Sequence, residues 1–211
     1  MKRAVSILVG CIVLAIVFWL FPAFHIVSLK QAQAEKTKGV FNAADFASEF
    51  WRKRLPPALK QAADAQTVLD ALTKDAKTAA TTYGRTVGIS DTSYYFIRGT
   101  GTVVSVVAKG IGVTLHGPDG KPDLLIKTGL LSGNTVRDAT GLVNASEFPN
   151  SQNFNDISTE LNRIVESQVI PNLKTNATAG RKLSFAVCAE LSEDDAADRP
   201  LKVIPVLAEL Q

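Results

Sequence analysis

Residues 94–115 read YYFIRGTGTVVSVVAKGIGVTL, and this stretch decides the fold. Tyr95-Phe96-Ile97, Thr102 to Val107 and Ile111 to Leu115 are β-branched or aromatic runs with a period of two, the pattern of strands packed on one face. Gly99-x-Gly101 and Gly110-x-Gly112 lie inside that pattern. Neither pair opens a helix, as a phosphate-cradling loop would, so they predict bends or bulges in strands. His116-Gly117-Pro118-Asp119-Gly120 follows as a turn: Pro118 presets φ, Asp119 bonds its local backbone and Gly120 accepts a positive φ. The turn leads into a strand at Leu124-Leu125-Ile126.

Downstream, Thr135 to about Asp138 and Leu142-Val143 read as further strands. Phe154, Ile157, Leu161, Ile164, Val165 and Val169 share one face of an amphipathic helix that Pro171 is expected to end. Leu183 to Leu191 alternates strictly, and Val203 to Leu207 is a last strand that Pro205 marks as an edge. Upstream the period is helical. Asn42 is a candidate N-cap with Asp45 three residues on, and Phe46, Phe50 and Trp51 form an aromatic stripe. That stripe reads as a face docked on the core, with a partner surface as the alternative. Pro56-Pro57 should break this helix, and a second one is predicted from Thr67 to Tyr83 with Gly84 as its C′ residue. The expected fold class is α+β: a small antiparallel β-barrel of the OB-fold type, preceded by helices and an N-terminal transmembrane helix. The expected boundaries are 1–29 for the membrane segment, 30–41 for a stalk, 42–84 for the helices and 85–211 for the barrel with its inserted helix at 154–170.

Ala4 to Phe24 is 21 residues without a charged side chain, enough for a helix to cross about 30 Å of hydrocarbon. Lys2 and Arg3 precede it, so the positive-inside rule places the N-terminus in the cytoplasm and the folded part in the periplasm of a single-pass inner-membrane protein. A cleaved signal peptide is the alternative, since Ala32-Gln33-Ala34 has the form of a cleavage site; the length of the apolar run favours a retained anchor. Leu8-Val9-Gly10-Cys11 has the form of a lipobox, but only ten residues precede Cys11 and the strongest apolar run follows it, which argues against lipidation.

Lys and Arg total 23 against 20 Asp and Glu; without Lys2 and Arg3 the balance is 21 to 20, too even for a nucleic-acid binder. Two cysteines and two histidines are too few for the usual zinc site or a disulfide framework, and no cofactor motif is present. Catalytic motifs such as G-x-S-x-G, H-E-x-x-H and C-x-x-C are absent. His116 reads as an exposed turn residue without a carboxylate partner, and Cys188 as a thiol lacking a base. The most unusual polar segment is Ser132 to Asp138, followed by Phe148 to Asn153 and Asn162. Asn134, Arg137, Asp138, Asn150, Gln152 and Asn162 are therefore the candidate ligand or partner residues, Arg137 supplying a planar donor fork and the amides bonding hydroxyls. The structural alternative, which weighs more, is an Arg137–Asp138 ion pair with the amides capping the following helix. An enzyme acting on a saccharide would need paired acids, with Asp138 and Glu160 as the candidates.

Several segments taken in order carry a resemblance: Phe41 to Trp51, the Tyr83-Gly84 helix end, Gly99-x-Gly101-x-Val103, Gly133-Asn134-Thr135-Val136-Arg137-Asp138, Phe148 to Gln152, Leu161-Asn162 and Ile204-Pro205-Val206. Together they resemble a family of predicted periplasmic lipoproteins, domain of unknown function 2291. Its members carry a lipobox cysteine just before a short Lys-Ile-Val-Pro-like segment. Here that segment is Phe24-His25-Ile26-Val27-Ser28 and the cysteine is missing, which fits an uncleaved helix as a substitute anchor. Family genes are often found beside sugar ABC transporter genes, so the resemblance implies an accessory role in carbohydrate uptake with transporter components as partners. It supplies no catalytic residues.

Overall fold

In a computed structural model of the chain, residues 41–88, 90–117, 120–148, 150–192 and 198–211 are described. The expected membrane helix, the Cys11 site and all of the stalk except Phe41 lie outside them; among the described residues no helix is long and apolar enough to cross a membrane. Asn42–Gln211 is one compact unit.

Five strands carry the architecture: β3 (Ser93–Val107), β4 (Gly110–Thr114), β5 (Leu124–Lys127), β6 (Lys182–Leu191) and β7 (Leu201–Leu210). Pairing runs β3–β4, β4–β5, β5–β7, β7–β6 and β6–β3, so the ladder returns to its first strand. All these pairs are antiparallel except β5–β7, which is parallel because the helices between β5 and β6 carry the chain across. Two short strands, β1 (Ala63–Asp64) and β2 (Gly84–Thr86), add to β3. β3 runs unbroken for 15 residues through Gly99 and Gly101, and a bulge of the kind expected near the Gly-x-Gly pairs falls between Val103 and Ser105, opposite Gly112 and Val113 of β4. A Cβ at Gly101 would lie 2.6 Å from the carbonyl oxygen of Thr114 and from the Val113 side chain, so the glycine permits close packing inside an unbroken strand.

Before the strands come α1 (Ala43–Glu49), a wide helical turn at Phe50–Arg54, α2 (Leu55–Leu59), α3 (Ala65–Lys74) and α4 (Ala76–Tyr83). Asn42 caps α1 as expected, its Oδ1 accepting from the amides of Ala44 and Asp45. Pro56-Pro57 do not end the helix. The Leu55 amide donates five residues back, to Phe50, and this wider turn opens the ladder where the prolyl rings need room. The same device recurs in the third helical region, α6 (Ser151–Ile164), a wide turn at Val165–Val169 and α7 (Ile170–Asn176). There Ile170 donates to Val165, and the helix passes Pro171 instead of stopping.

The helix expected over 67–83 is two helices. Asp75 is extended (φ −160°) and its carboxylate accepts from the amides of Lys77 and Thr78 and from the Thr78 hydroxyl, starting α4 afresh. Gly84 does not adopt the left-handed C′ conformation, since its φ is −86°. It is glycine because a Cβ would sit 2.6 Å from the Ala80 oxygen.

The core lies within the ring and under α3, where Val68, Leu69 and Leu72 pack with Tyr95, Ile97, Val103, Val187 and Val203. Each such buried aliphatic side chain contributes about 1.5–3 kcal/mol of transfer free energy. β7 is not an edge strand as a whole, since it lies between β5 and β6, but β5 pairs only with Leu201–Val203, so Pro205 is laddered to β6 alone, beside the register slip at Ala186/Val187. Nor does burial on β6 alternate strictly, because Ala186 and Cys188 on its other face are covered as well, with α5 (Thr135–Thr140) packed against the strand.

Candidate functional site

Thr135–Thr140 is a helix, not the strand that Thr135-Val136 suggests, and Leu142-Val143 is not a strand either. Every residue of α5 is buried between β6, β3 and α6. A six-residue helix buried on all sides, its polar Thr135, Arg137, Asp138 and Thr140 included, sets no apolar face against a solvent face, so it shows no helical period and β-branched composition misleads there. Gly141 ends α5 in the left-handed conformation (φ 64°), with the Arg85 guanidinium against it.

Arg137 and Asp138 are 3% and 5% exposed. Arg137 Nε and Nη2 donate to Asp138 Oδ1 and Oδ2 at 2.7 and 3.0 Å, a bidentate pair between neighbours in sequence. Nη1 donates to the Phe154 carbonyl (3.1 Å) and Asn155 Oδ1 (3.4 Å), and the guanidinium carbon stands 3.6 Å from the centroid of the Phe154 ring. The fork is thus occupied by the protein itself. From Phe154 an aromatic series continues: Phe148 at 5.9 Å, Phe46 edge-on to Phe148 at 5.3 Å, and Arg54 over Phe46 at 5.1 Å. A cation at each end and three rings between tie α1, α6 and α5 together.

The other candidates divide. Asn162 is buried beside this layer and donates from Nδ2 to the Gly133 carbonyl at 3.0 Å. Its Oδ1 and the Ser158 hydroxyl, one turn away, have no hydrogen-bond partner among the described residues. Asn134 holds the N-cap position of α5 without a side-chain bond, and its carbonyl accepts from the Asp138 amide. Asn150 is exposed and caps α6 by accepting from the Asn153 amide at 2.8 Å. Gln152 is exposed too and donates to Asp156 at 2.7 Å. Arg137, Asp138 and Asn162 therefore belong to one buried layer, while Asn150 and Gln152 lie on the solvent side. Asn150→Ala should cost about 1 kcal/mol, the ordinary value of an N-cap, in a denaturant melt; a cost near zero would show the cap bond to be idle.

Asp138 and Glu160 do not face each other as a pair of acids: Asp138 is held by Arg137, and Glu160 accepts from Arg163 at 3.1 Å on the outer helix surface. His116 does have a carboxylate partner. Its Nδ1 is 3.2 Å from Asp123 Oδ2, which also accepts from the Leu115 amide and the Thr114 hydroxyl across the hairpin. Cys188 is fully buried and burial pushes its thiol pKa far up, so it is no nucleophile. A thiol reagent should leave Cys188 unmodified in the folded protein and label it on denaturation; rapid labelling without denaturant would contradict the packing. Among the described residues no group of three or more His, Cys, Asp or Glu is placed to hold a metal.

Sequence reasoning missed an open groove of about 460 Å³ beside β3, β6 and β7. Lys60, Asp64, Arg98, Thr100 and Ser184 supply its polar groups, with Phe185 and Leu207 as apolar wall. Thr100 and Ser184 hydroxyls are 3.3 Å apart, and Gln211 Nε2 donates to Ser184 at 3.1 Å. Asp64 is held as a carboxylate: the Thr67 amide bond outweighs burial and lowers its pKa, with Arg98 adding to the effect. Gly99 lets the walls close, since Ala65 and Phe185 come within 3.0 and 3.1 Å of where its Cβ would be. The available signal was the outward alternation of Arg98 and Thr100 around that glycine.

Comparison with known proteins gives three findings. A family model described as "Predicted periplasmic lipoprotein (DUF2291)" matches residues 14–209. The crystal structure of an OB-fold protein from Thermotoga maritima is similar at 29% identity with a TM-score of 0.73, over 81% of this chain and 99% of that one. Among curated proteins none matches.

Proposed function

Because this chain belongs to the DUF2291 family of predicted periplasmic lipoproteins, we propose that it is a membrane-tethered, non-enzymatic binding module facing the periplasm, acting beside a sugar ABC transporter. Its folded unit is an OB-type β-barrel in this reading, supported by the returning strand ladder and the similar OB-fold structure. The observation that carries it is the groove at Arg98. Two cations, one carboxylate and a pair of hydroxyls around an apolar wall suit a polar, hydroxyl-bearing ligand or a mixed-charge protein segment. The Arg137–Asp138 segment serves as internal scaffold for that surface, because its donors and acceptors are already paired. The tether is the apolar run 4–24, an uncleaved helix in place of an acyl chain.

A photo-crosslinking residue at Arg98 in the full-length membrane protein tests the partner. Adducts with transporter subunits or their solute-binding protein are expected, and their absence, together with no saccharide binding, would overturn the reading. The tether has its own test: a reporter fused after Gln211 should be active only when exported, and Cys11→Ser should leave the full-length protein in the membrane fraction. Extraction by salt alone, or a mature N-terminus near Glu35, would refute it.

A further inference from the structure

We propose that the tip of the β3–β4 hairpin, with the loop after β5, is a second membrane contact that inserts into an anionic lipid surface; this rests on the tethered reading above. Val106 and Val107 are about half exposed at the end of β3, and Leu130 is 95% exposed; what is informative is that three exposed aliphatic side chains gather in one place. They share one end of the ring. Gly110 opposes Lys127 in the β4–β5 ladder, the Thr128 amide donates to the Lys109 carbonyl at 3.0 Å, and Gly129 lies against the Lys109 stem. The two loops are thereby fastened to each other. Lys109 and Lys127 are both exposed and flank the three aliphatic side chains, with the exposed Ala108 beside them.

Apolar points framed by lysines match a lipid headgroup layer: the aliphatic groups enter the acyl boundary while the ammonium groups meet anionic phosphates. The chain outside the folded unit supports this occupant. Only residues 25–41 separate the apolar run from Asn42, so the unit is confined near a bilayer, within about 3.3–3.6 Å per residue of extended chain. Weak insertion suffices there, because the tether already supplies a high effective concentration of lipid. A protein partner at the same tip would call for a larger surface than these three side chains provide.

The test uses the full chain in vesicles, with Cys11→Ser and an environment-sensitive fluorophore on Leu130→Cys; Cys188 is buried and stays unlabelled. In vesicles containing anionic phospholipid the label should shift to the blue and be quenched by nitroxide on the acyl chains. In purely zwitterionic vesicles, or with Lys109→Glu/Lys127→Glu, the shift should be lost. A second label on Ile16→Cys reads the tether separately. A label at 130 that stays water-exposed and iodide-quenchable overturns the proposal, whether or not position 16 is in lipid. Shielding of position 130 seen in native inner-membrane vesicles but not in pure lipid overturns it too, in favour of a protein partner.

Discussion

Arg137→Ala should lower the stability of the folded unit by roughly 3–5 kcal/mol, the cost of leaving a buried charge without its partner. For a unit of this size that is a fall in Tm of roughly 10 °C. The geometry dictates the sign. Arg137 is 3% exposed and spends its guanidinium on both Asp138 oxygens, the Phe154 carbonyl and the Phe154 ring. Truncation leaves Asp138 buried without its partner, removes the guanidinium bond to the Phe154 carbonyl and uncovers the ring face, three losses of one sign. Arg137→Lys should recover little, because an ammonium gives neither the bidentate bond nor the flat stacking surface. Replacing both members with apolar residues of similar volume, Arg137→Met with Asp138→Leu, should recover most of the loss, since no stranded charge remains. A melt unchanged by Arg137→Ala would mean that the pair is solvated in solution, and would return the segment to the list of binding surfaces.

What could be read from the sequence follows from which forces are local. The β3–β4–β5 meander was legible because its signals are short-range: two-residue alternation, the turn after Leu115 and the absence of competing helical period. Asn42 was legible for the same reason, since a cap is decided within three residues. The misreadings are tertiary. Thr135 to Thr140 folds as a helix because α6, β3 and β6 enclose it, and β propensity does not survive that enclosure. Pro56 and Pro171 stay inside helices because a wide turn precedes each, which no residue pattern announces. Pro205 reads as marking an edge strand, but β5 pairs with β7 at Leu201–Val203, short of the proline, and so the strand as a whole is internal.

The site divides along the same line. Arg137 and Asp138 were found because they are adjacent in sequence, but their partners Phe154 and Asn155 lie a further helix away. The groove at Arg98 joins residues from 59 to 207, and no local motif collects them. The resemblance supplied what spacing did not, the family, while leaving the ligand to experiment.

Phe50→Ala should be the other large loss, about 3–5 kcal/mol, as for a large aromatic removed from a packed interior. Phe50 is fully buried at the first residue of the wide turn, and the Leu55 amide reaches its carbonyl there. Removing the ring leaves a cavity in the segment that carries the chain past Pro56-Pro57, where the helical ladder has already given up two donors and little can collapse inward. Its neighbours in the aromatic stripe are partly exposed and should cost less. Phe46→Ala loses its edge-on contact with Phe148, worth about 0.5–1.5 kcal/mol in a double-mutant cycle with Phe148→Ala, together with the Arg54 guanidinium over its ring. Trp51→Ala should fall below Phe50→Ala because Trp51 is only partly buried, whereas Phe50 is fully so. Equal losses at all three positions would mean that the stripe is buried as a whole and that the helix sits deeper than the structure places it. A small loss at Phe50 alone would mean that α1 is not docked on α6 in solution, and that the stripe is free for a partner.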